Sequence, residues 1–245
     1  MHLIIIYKVV THFQSKTIDL GKHASKNSKI MMTFNLSKIK SIANTFISEL
    51  RDENIQKDSM RFRKNLERVG EFFAYEISKS LPYVTKDVTT PLGVSQCDVL
   101  AQQPVLATIL RAGLPLQQGL LNIFDKSECC FISAYRKVKK SGDFIIQMDY
   151  ISTPDLDGKV LIMADPMLAT GQSMVMCCKE LLNRYDIAEL HIVAAIASTE
   201  GVAHVKANLP KAKLWLGAID EEMTSKSYIV PGLGDAGDLA YGEKM

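Results

Sequence analysis

The stretch Lys159-Val-Leu-Ile-Met-Ala-Asp-Pro-Met-Leu-Ala-Thr-Gly-Gln-Ser173 carries the residues best suited to chemistry in this sequence. Thr170 and Ser173 offer hydroxyl donors, and Gly171 lets the backbone approach a ligand closely. A helix beginning near Ser173 leaves its first N–H groups unpaired and turns the positive end of its dipole into the same loop. Together these make an anion site suited to a phosphate monoester. Asp165 comes just before it, at the end of the apolar run Val160–Ala164. A carboxylate in that place repels anions, so its better use is to accept hydrogen bonds from sugar hydroxyls. Phosphate plus hydroxyls points to a ribose 5-phosphate. Thr-Gly-x-Ser taken alone also fits an ordinary strand–turn–helix with a Ser cap.

Two arginines stand at comparable positions. Arg111 follows the run Val105–Leu110, and Arg136 follows Phe131–Tyr135. Guanidiniums converging on the edge from which Asp165 emerges suit a diphosphate, because each donates a forked pair of hydrogen bonds. Lys137, Lys139 and Lys140 read as a solvated hairpin tip, from which one could swing over such a diphosphate. Arg61, Arg63 and Lys64 read first as a solvated helix face, and second as a subunit contact or a site for a phosphate-bearing effector.

The stretch Tyr228-Ile-Val-Pro-Gly-Leu-Gly-Asp-Ala-Gly-Asp238 is irregular by composition, since Pro231, Gly232, Gly234 and Gly237 forbid a continuous helix or strand. Such a loop exposes main-chain N–H and C=O groups. Those groups can hydrogen-bond the carbonyl and N–H edges of a ligand, and a purely structural C-terminal loop has the same composition.

The elements that must position these residues alternate between strand and helix. Runs at Val105–Leu110, Phe131–Tyr135, Val160–Ala164, His191–Ala197 and Leu214–Ile219 read as buried strands. Helical stretches follow from Pro115 to about Phe124, Met174 to about Tyr185 and Glu200 to Asn208. This alternation implies right-handed crossovers and a parallel sheet. Upstream, helical spacing from Ser37 (Ile39, Ile42, Ala43, Phe46, Ile47, Leu50) and from Asp58-Ser59 to about Ser80 predicts two helices. Val84–Gly93 reads as a strand ending in a turn of a small flap, and Phe144–Tyr150 as the return of a hairpin turning at Ser141-Gly142-Asp143.

Bulk properties narrow the function further. With 245 residues and no repeats or low-complexity linkers, residues 31–245 read as one α/β domain preceded by an extension, residues 1–30, expected to be disordered or not native. A formal charge of +2 gives no global attraction to nucleic acid or membrane, so neither is expected as a partner. Leu3-Ile4-Ile5-Ile6 is too short for a signal-peptide core or a membrane span. Five cysteines in apolar stretches, an odd count with no Cys-x-x-Cys, fit reduced, buried thiols in the cytoplasm. No His lies in a motif, so Ser-His or Cys-His catalysis is unsupported.

The string Asp165-Pro-Met-Leu-Ala-Thr-Gly-Gln-Ser173 resembles the phosphoribosyl diphosphate (PRPP) loop of type I phosphoribosyltransferases, and its wording is similar to the uracil branch. Ile109-Leu110-Arg111-Ala112-Gly113-Leu114, Ser133-Ala-Tyr-Arg136, Trp215-Leu-Gly-Ala-Ile-Asp220 and the Tyr228–Asp238 loop resemble the same family, over roughly residues 36–239. The resemblance implies a Rossmann-like parallel-sheet core with a small β-flap or hood, and the reaction of uracil with PRPP to give uridine monophosphate and diphosphate. It implies that Arg111, Arg136, Asp165, Pro166, Met167, Leu168, Ala169, Thr170, Gly171, Gln172, Ser173 and Asp235 bind PRPP. Ile229, Gly234, Asp235 and Ala236 would bind uracil, and Arg111, Arg136 and Asp235 would serve catalysis. Mg²⁺ would be held mainly by PRPP rather than directly by the protein. Homodimers or higher homo-oligomers and a GTP effector are implied in the same way. Two positions depart from the family pattern. Gln172 stands where a second Gly is common, and the tail reads Gly-Asp-Leu-Ala-Tyr-Gly in place of Gly-Asp-Arg-x-Phe-Gly. The rival readings are a phosphoribosyltransferase for another nucleobase and a PRPP-binding regulator without turnover.

Overall fold

A computed structural model of the chain describes residues 32–138 and 144–243. The expectations for residues 1–30, for Lys139 and Lys140, and for the Ser141-Gly142-Asp143 turn lie outside the described residues. The chain enters through β1 (Thr33–Asn35), one turn of 3-10 helix at Leu36–Lys38, and α1 (Ala43–Arg51). Ser37 N donates to the side chain of Asn35 at 3.1 Å, and Ile39 is extended. The helix expected from Ser37 therefore begins at Ala43: a short polar side chain next to the backbone diverts the chain before a helix can propagate. Ile39 and Ile42 are exposed, whereas Ala43, Ile47 and Leu50 are buried as the spacing predicts.

Helix α2 (Ser59–Ser78) starts where the sequence places it, because Asp58 accepts hydrogen bonds from Met60 N and Arg61 N at 3.0 and 3.1 Å. Phe62, Leu66, Val69, Phe73 and Ile77 form its buried face. Next comes a hairpin of β2 (Tyr83–Thr90) and β3 (Gly93–Leu100), turning at Pro91-Leu92. The sequence discloses its first strand, and the structure adds the returning one.

The core continues with β4 (Val105–Leu110), α3 (Leu114–Ile123), β5 (Cys129–Val138), β6 (Phe144–Ser152), β7 (Val160–Ala164), β8 (Met167–Leu168) and α4 (Gln172–Arg184). It closes with β9 (Glu189–Ser198), α5 (Thr199–Asn208), β10 (Lys213–Asp220), the two-residue strands β11 (Glu222–Met223) and β12 (Ile229–Val230), and α6 (Ala236–Tyr241). The main sheet runs β1-β10-β9-β7-β4-β5-β6, with β8 beside β9. Its pairs are parallel except β5–β6, so the α/β class with a largely parallel sheet is as expected.

Alternation along the strands divides the core into two layers. Leu106, Ile162, Val193 and Ala195 pack with residues of α1, α2 and α3. Ala107, Leu161, Met163, Ile192 and Ala194 pack with Met174, Cys177 and Leu181 of α4 and with Val205 of α5. Strands covered on both faces are largely apolar, which is why they read as near-continuous runs. Each fully buried aliphatic side chain contributes roughly 1.5–3 kcal/mol before its entropy cost.

At the start of β9, His191 lies beside Lys213 in register. Trp215 Nε1 donates to His191 Nδ1 at 2.9 Å, so the ring proton sits on Nε2, which faces Glu189. Lys213 also pairs with Glu189. Burial pulls the His191 pKa down to about 4, against the opposing pull of Glu189. This cluster is structural, at the end of the sheet remote from the carboxyl edge. Of the cysteines, Cys130, Cys177 and Cys178 are buried as expected, whereas Cys97 on the hairpin and Cys129 are only half-buried. No described helix is long and apolar enough to cross a membrane.

Candidate active site

The chain leaves β4 toward β5 on one side, and β7 lies on the other side of β4. The loops after β4 and β7 therefore diverge at their carboxyl ends and leave a crevice between them, where open α/β sheets bind ligands. A cleft of about 830 Å³ opens there. Arg111 after β4, Asp165 and Met167–Ser173 after β7, and Ile229 with Gly234–Ala236 from the terminal loop all line it. Pro166 does not line the cleft; its carbonyl accepts from Ile196 N of β9 at 2.9 Å.

The loop after β7 is fixed from behind by β9. Asp165 N donates to Val193 O at 3.1 Å, and Ile196 N donates to Pro166 O at 2.9 Å. Met167 and Leu168 pair with Ile196 and Ala197 as β8, a two-residue strand with no sequence signature. Ser198 Oγ accepts from Gly201 N at 2.8 Å, capping α5, and donates to Ala169 O at 2.5 Å. Gly171 has φ of 73°, and a Cβ there would lie 2.9 Å from Gly201 O, so the position demands glycine.

Helix α4 begins at Gln172, one residue earlier than expected, and no side chain caps it. The Ser-capped alternative is thereby set aside: Gly171 occupies the cap position, and the only contact of this kind is Gln172 N to Thr170 Oγ1 at 3.4 Å. Gln172, Ser173 and Met174 line the cleft as the first helical residues, so unpaired amides and the helix dipole are available to an anion. Gln172 adopts ordinary helical backbone, which explains how Gln stands at a position where Gly is common.

Arg111 follows a cis Leu110–Arg111 peptide. Its Nη2 donates to Gly242 O at 3.1 Å and lies 3.5 Å from Asp238 Oδ1. Its Nε is buried without a hydrogen-bond partner among the described residues. Arg111 lines the cleft, and a guanidinium with an unmet donor suits an anionic ligand. Arg136 lies in β5 opposite Ile146, and its side chain lies outside the described residues, as does that of Lys137.

The terminal loop is less irregular than its composition implies. Met223 pairs with Ile229 and Glu222 with Val230. The Val230–Pro231 peptide is cis, and Gly232 and Gly234 have φ of 57° and 92°. Asp235 Oδ1 accepts from Gly237 N at 2.8 Å and Asp238 N at 3.0 Å, so it caps α6, a helix the sequence does not disclose. The tail that lacks the usual arginine receives one from α2. Arg63 Nη1 donates to Ala240 O at 2.6 Å and its guanidinium lies over the Tyr241 ring. The rest of that basic cluster is also engaged internally, Arg61 with Glu49 and Lys64 with Glu67. Lys226 and Ser227 line the cleft as well, and no pattern in the sequence marks them.

No described cysteine lines the cleft. Burial, the Asp165 carboxylate and Cys130 push the Cys177 thiol up to about 12, so it stays protonated. Neither described histidine lines the cleft. Among the described residues no three His, Cys, Asp or Glu side chains cluster as a metal cage.

Comparison with known proteins agrees in one direction. Residues 38–243 match the family described as uracil phosphoribosyltransferase. The chain is 52% identical to a uracil phosphoribosyltransferase of Porphyromonas gingivalis over 206 residues, covering 84% of this chain and 95% of that one. It is 36% identical to a uracil phosphoribosyltransferase of Thermococcus gammatolerans over 202 residues, covering 81% and 88%. A solved structure from Aquifex aeolicus superposes with a TM-score of 0.77 at 28% identity, covering 86% of this chain and 98% of that one.

Proposed function

The chain belongs to the uracil phosphoribosyltransferase family, an enzyme family of pyrimidine salvage, and from that premise we propose how its cleft works. The 5-phosphate of PRPP sits on the Thr170–Ser173 amides and hydroxyls, and Asp165 accepts hydrogen bonds from the ribose hydroxyls. Arg111 and Arg136 take the diphosphate. Pro166–Ala169 carry the loop that joins these groups. Uracil is read by the backbone around Ile229, Gly234, Asp235 and Ala236, with Asp235 also close to the ribose.

The observation that carries this reading is the meeting of three segments, distant in sequence, in one cleft at the switch point of the sheet. In the reaction the bond between the anomeric carbon and diphosphate oxygen breaks as the bond to uracil N1 forms, and the N1 proton is released. Positive charge develops on the ribose in an oxocarbenium-like state. The protein therefore neutralises the leaving group and holds N1 in line. Mg²⁺, when bound, would supply further neutralisation of the diphosphate, held by PRPP oxygens and water in a site without a carboxylate cage.

A cytoplasmic homo-oligomer belongs to the same proposal, with GTP as its effector. The oligomer is supported by the β2–β3 hairpin. Val84, Val88, Cys97 and Val99 share one of its faces by register, yet Val84 and Val88 remain exposed. An uncovered two-stranded hairpin is marginally stable in water, so a second copy is the occupant this face fits.

Calorimetric titration with PRPP and Mg²⁺ tests the assignment of the loop. Thr170→Ala with Ser173→Ala is expected to weaken binding by roughly 100-fold or more, two hydrogen bonds to a charged group at about 1.5–3 kcal/mol each. Unchanged affinity would overturn the phosphate assignment.

A further inference from the structure

We infer that Arg51 and Asp220, neither of which lines the cleft, are positioning residues that hold the nucleobase loop in its uracil-reading shape; this rests on the assignment of Ile229–Ala236 to uracil. Arg51 ends α1, and Asp220 ends β10. Their side chains form a two-pronged pair, Nη1 to Oδ2 and Nη2 to Oδ1, each 2.8 Å. Gly232, in the turn after the cis Val230–Pro231 bond, is gripped by both. Arg51 Nη1 donates to Gly232 O at 2.9 Å, and Gly232 N donates to Asp220 Oδ2 at 2.9 Å.

The next residue is tied as well. In the amide orientation that satisfies both its ends, Gln56 donates to Leu50 O at 2.9 Å and to Leu233 O at 2.8 Å. Two consecutive loop peptides are thus bonded to the end of α1 and the segment after it. Ile229 precedes the grip and Gly234–Ala236 follow it, and all four line the cleft. Gly232 cannot be replaced in this arrangement, since φ is 57° and a Cβ would lie 2.1 Å from Ile229 O.

The pair is built to stay charged. Burial of Asp220 opposes ionisation, but the Arg51 hydrogen bond and the Gly232 N–H hold its carboxyl below the usual range. Only a guanidinium can span two carboxylate oxygens and a carbonyl at once, so lysine is a poor substitute. A readout of uracil by backbone groups depends on where the loop backbone lies, and misplacement by about 1 Å costs on the order of 100-fold. The PRPP loop hangs from β9 and does not depend on this grip.

The test is steady-state kinetics of the full chain with Arg51→Met, Arg51→Lys and Asp220→Asn, beside Gly234→Ala as a control within the loop. For Arg51→Met the KM for uracil is expected to rise about 10–100-fold while the KM for PRPP stays within about threefold. Arg51→Lys should recover only part of the loss. Arg51→Met with Asp220→Asn should cost little more than either change alone, because both break one unit. Equal rises in the two KM values, or an unchanged uracil KM where Gly234→Ala raises it, would overturn the inference. An unchanged uracil KM in Gly234→Ala itself would instead overturn the assignment of the loop. If Arg51→Met does not fold, Asp220→Asn, which keeps the size and one acceptor oxygen, must give the same split between substrates.

Discussion

Arg111 Nη2 donates to Gly242 O at 3.1 Å and stands 3.5 Å from Asp238 Oδ1, so the guanidinium assigned to the diphosphate is held by the end of α6. Arg111 is thus braced by the helix that follows the nucleobase loop, whereas the loop itself is held by Arg51 and Asp220. A half-exposed pair of this length is worth about 1 kcal/mol or less, so a diphosphate can draw the arginine away from it. Arg111→Met is expected to lower kcat/KM by about 100- to 1000-fold, as loss of a transition-state donor does. Arg111→Lys should restore a minor part, since an ammonium cannot donate the fork. Activity within threefold of the native enzyme in Arg111→Met would contradict the role.

Ser198 joins the cap of α5 to the PRPP loop through one hydroxyl. Ser198→Ala removes the acceptor for Gly201 N and the donor to Ala169 O together. It should cost about 1–2 kcal/mol of stability by denaturant titration and raise the KM for PRPP several-fold, leaving the KM for uracil nearly unchanged. A stability loss with no change in either KM would show that the loop keeps its shape unaided.

The His191 cluster makes stability depend on pH in the acid range. Burial holds His191 at about 4, below its ordinary value of 6.5, so the unfolded chain takes up the proton first. The contribution is complete above pH 6.5 and is lost as pH falls toward 4, amounting to roughly 3 kcal/mol. Burial opposes the charge on Glu189, but Lys213 and His191 keep it low, so that carboxylate adds a loss in the same direction at lower pH. Unfolding at pH 7, 6, 5 and 4.5 should show this slope, and His191→Gln should flatten it. An equal slope in both proteins would contradict the neutral, buried imidazole.

The hairpin gives an oligomer test. Val84→Glu with Val88→Glu places two carboxylates on the face offered to a second copy. Light scattering of the native protein should report a multiple of 27.2 kDa, and the variant should fall toward that single-chain mass. An unchanged multiple would place the interface elsewhere.

What could be read from the sequence follows from which forces are local. The central strands are legible because burial on both faces leaves them largely apolar, Thr108 and His191 being buried exceptions, and α2 because Asp58 caps it. The loop proposed for PRPP is legible because Thr170, Gly171 and Ser173 stand within a few residues of one another. By contrast β8, β11 and β12 are two residues each and exist through their partners, and α6 forms because Asp235 caps a glycine-rich stretch. The true start of α1 is hidden because Asn35 competes for the backbone. Arg51 and Asp220 are 169 residues apart, so only the folded chain reveals that they act on one loop peptide.

The most direct measurement is product formation from uracil, PRPP and Mg²⁺, with cytosine, thymine, hypoxanthine and orotate in parallel. Uridine monophosphate is expected from uracil alone, and is expected to be lost on replacing Arg111 or Asp235. Binding of PRPP without product from any of these bases would contradict it and leave a PRPP-binding regulator as the reading.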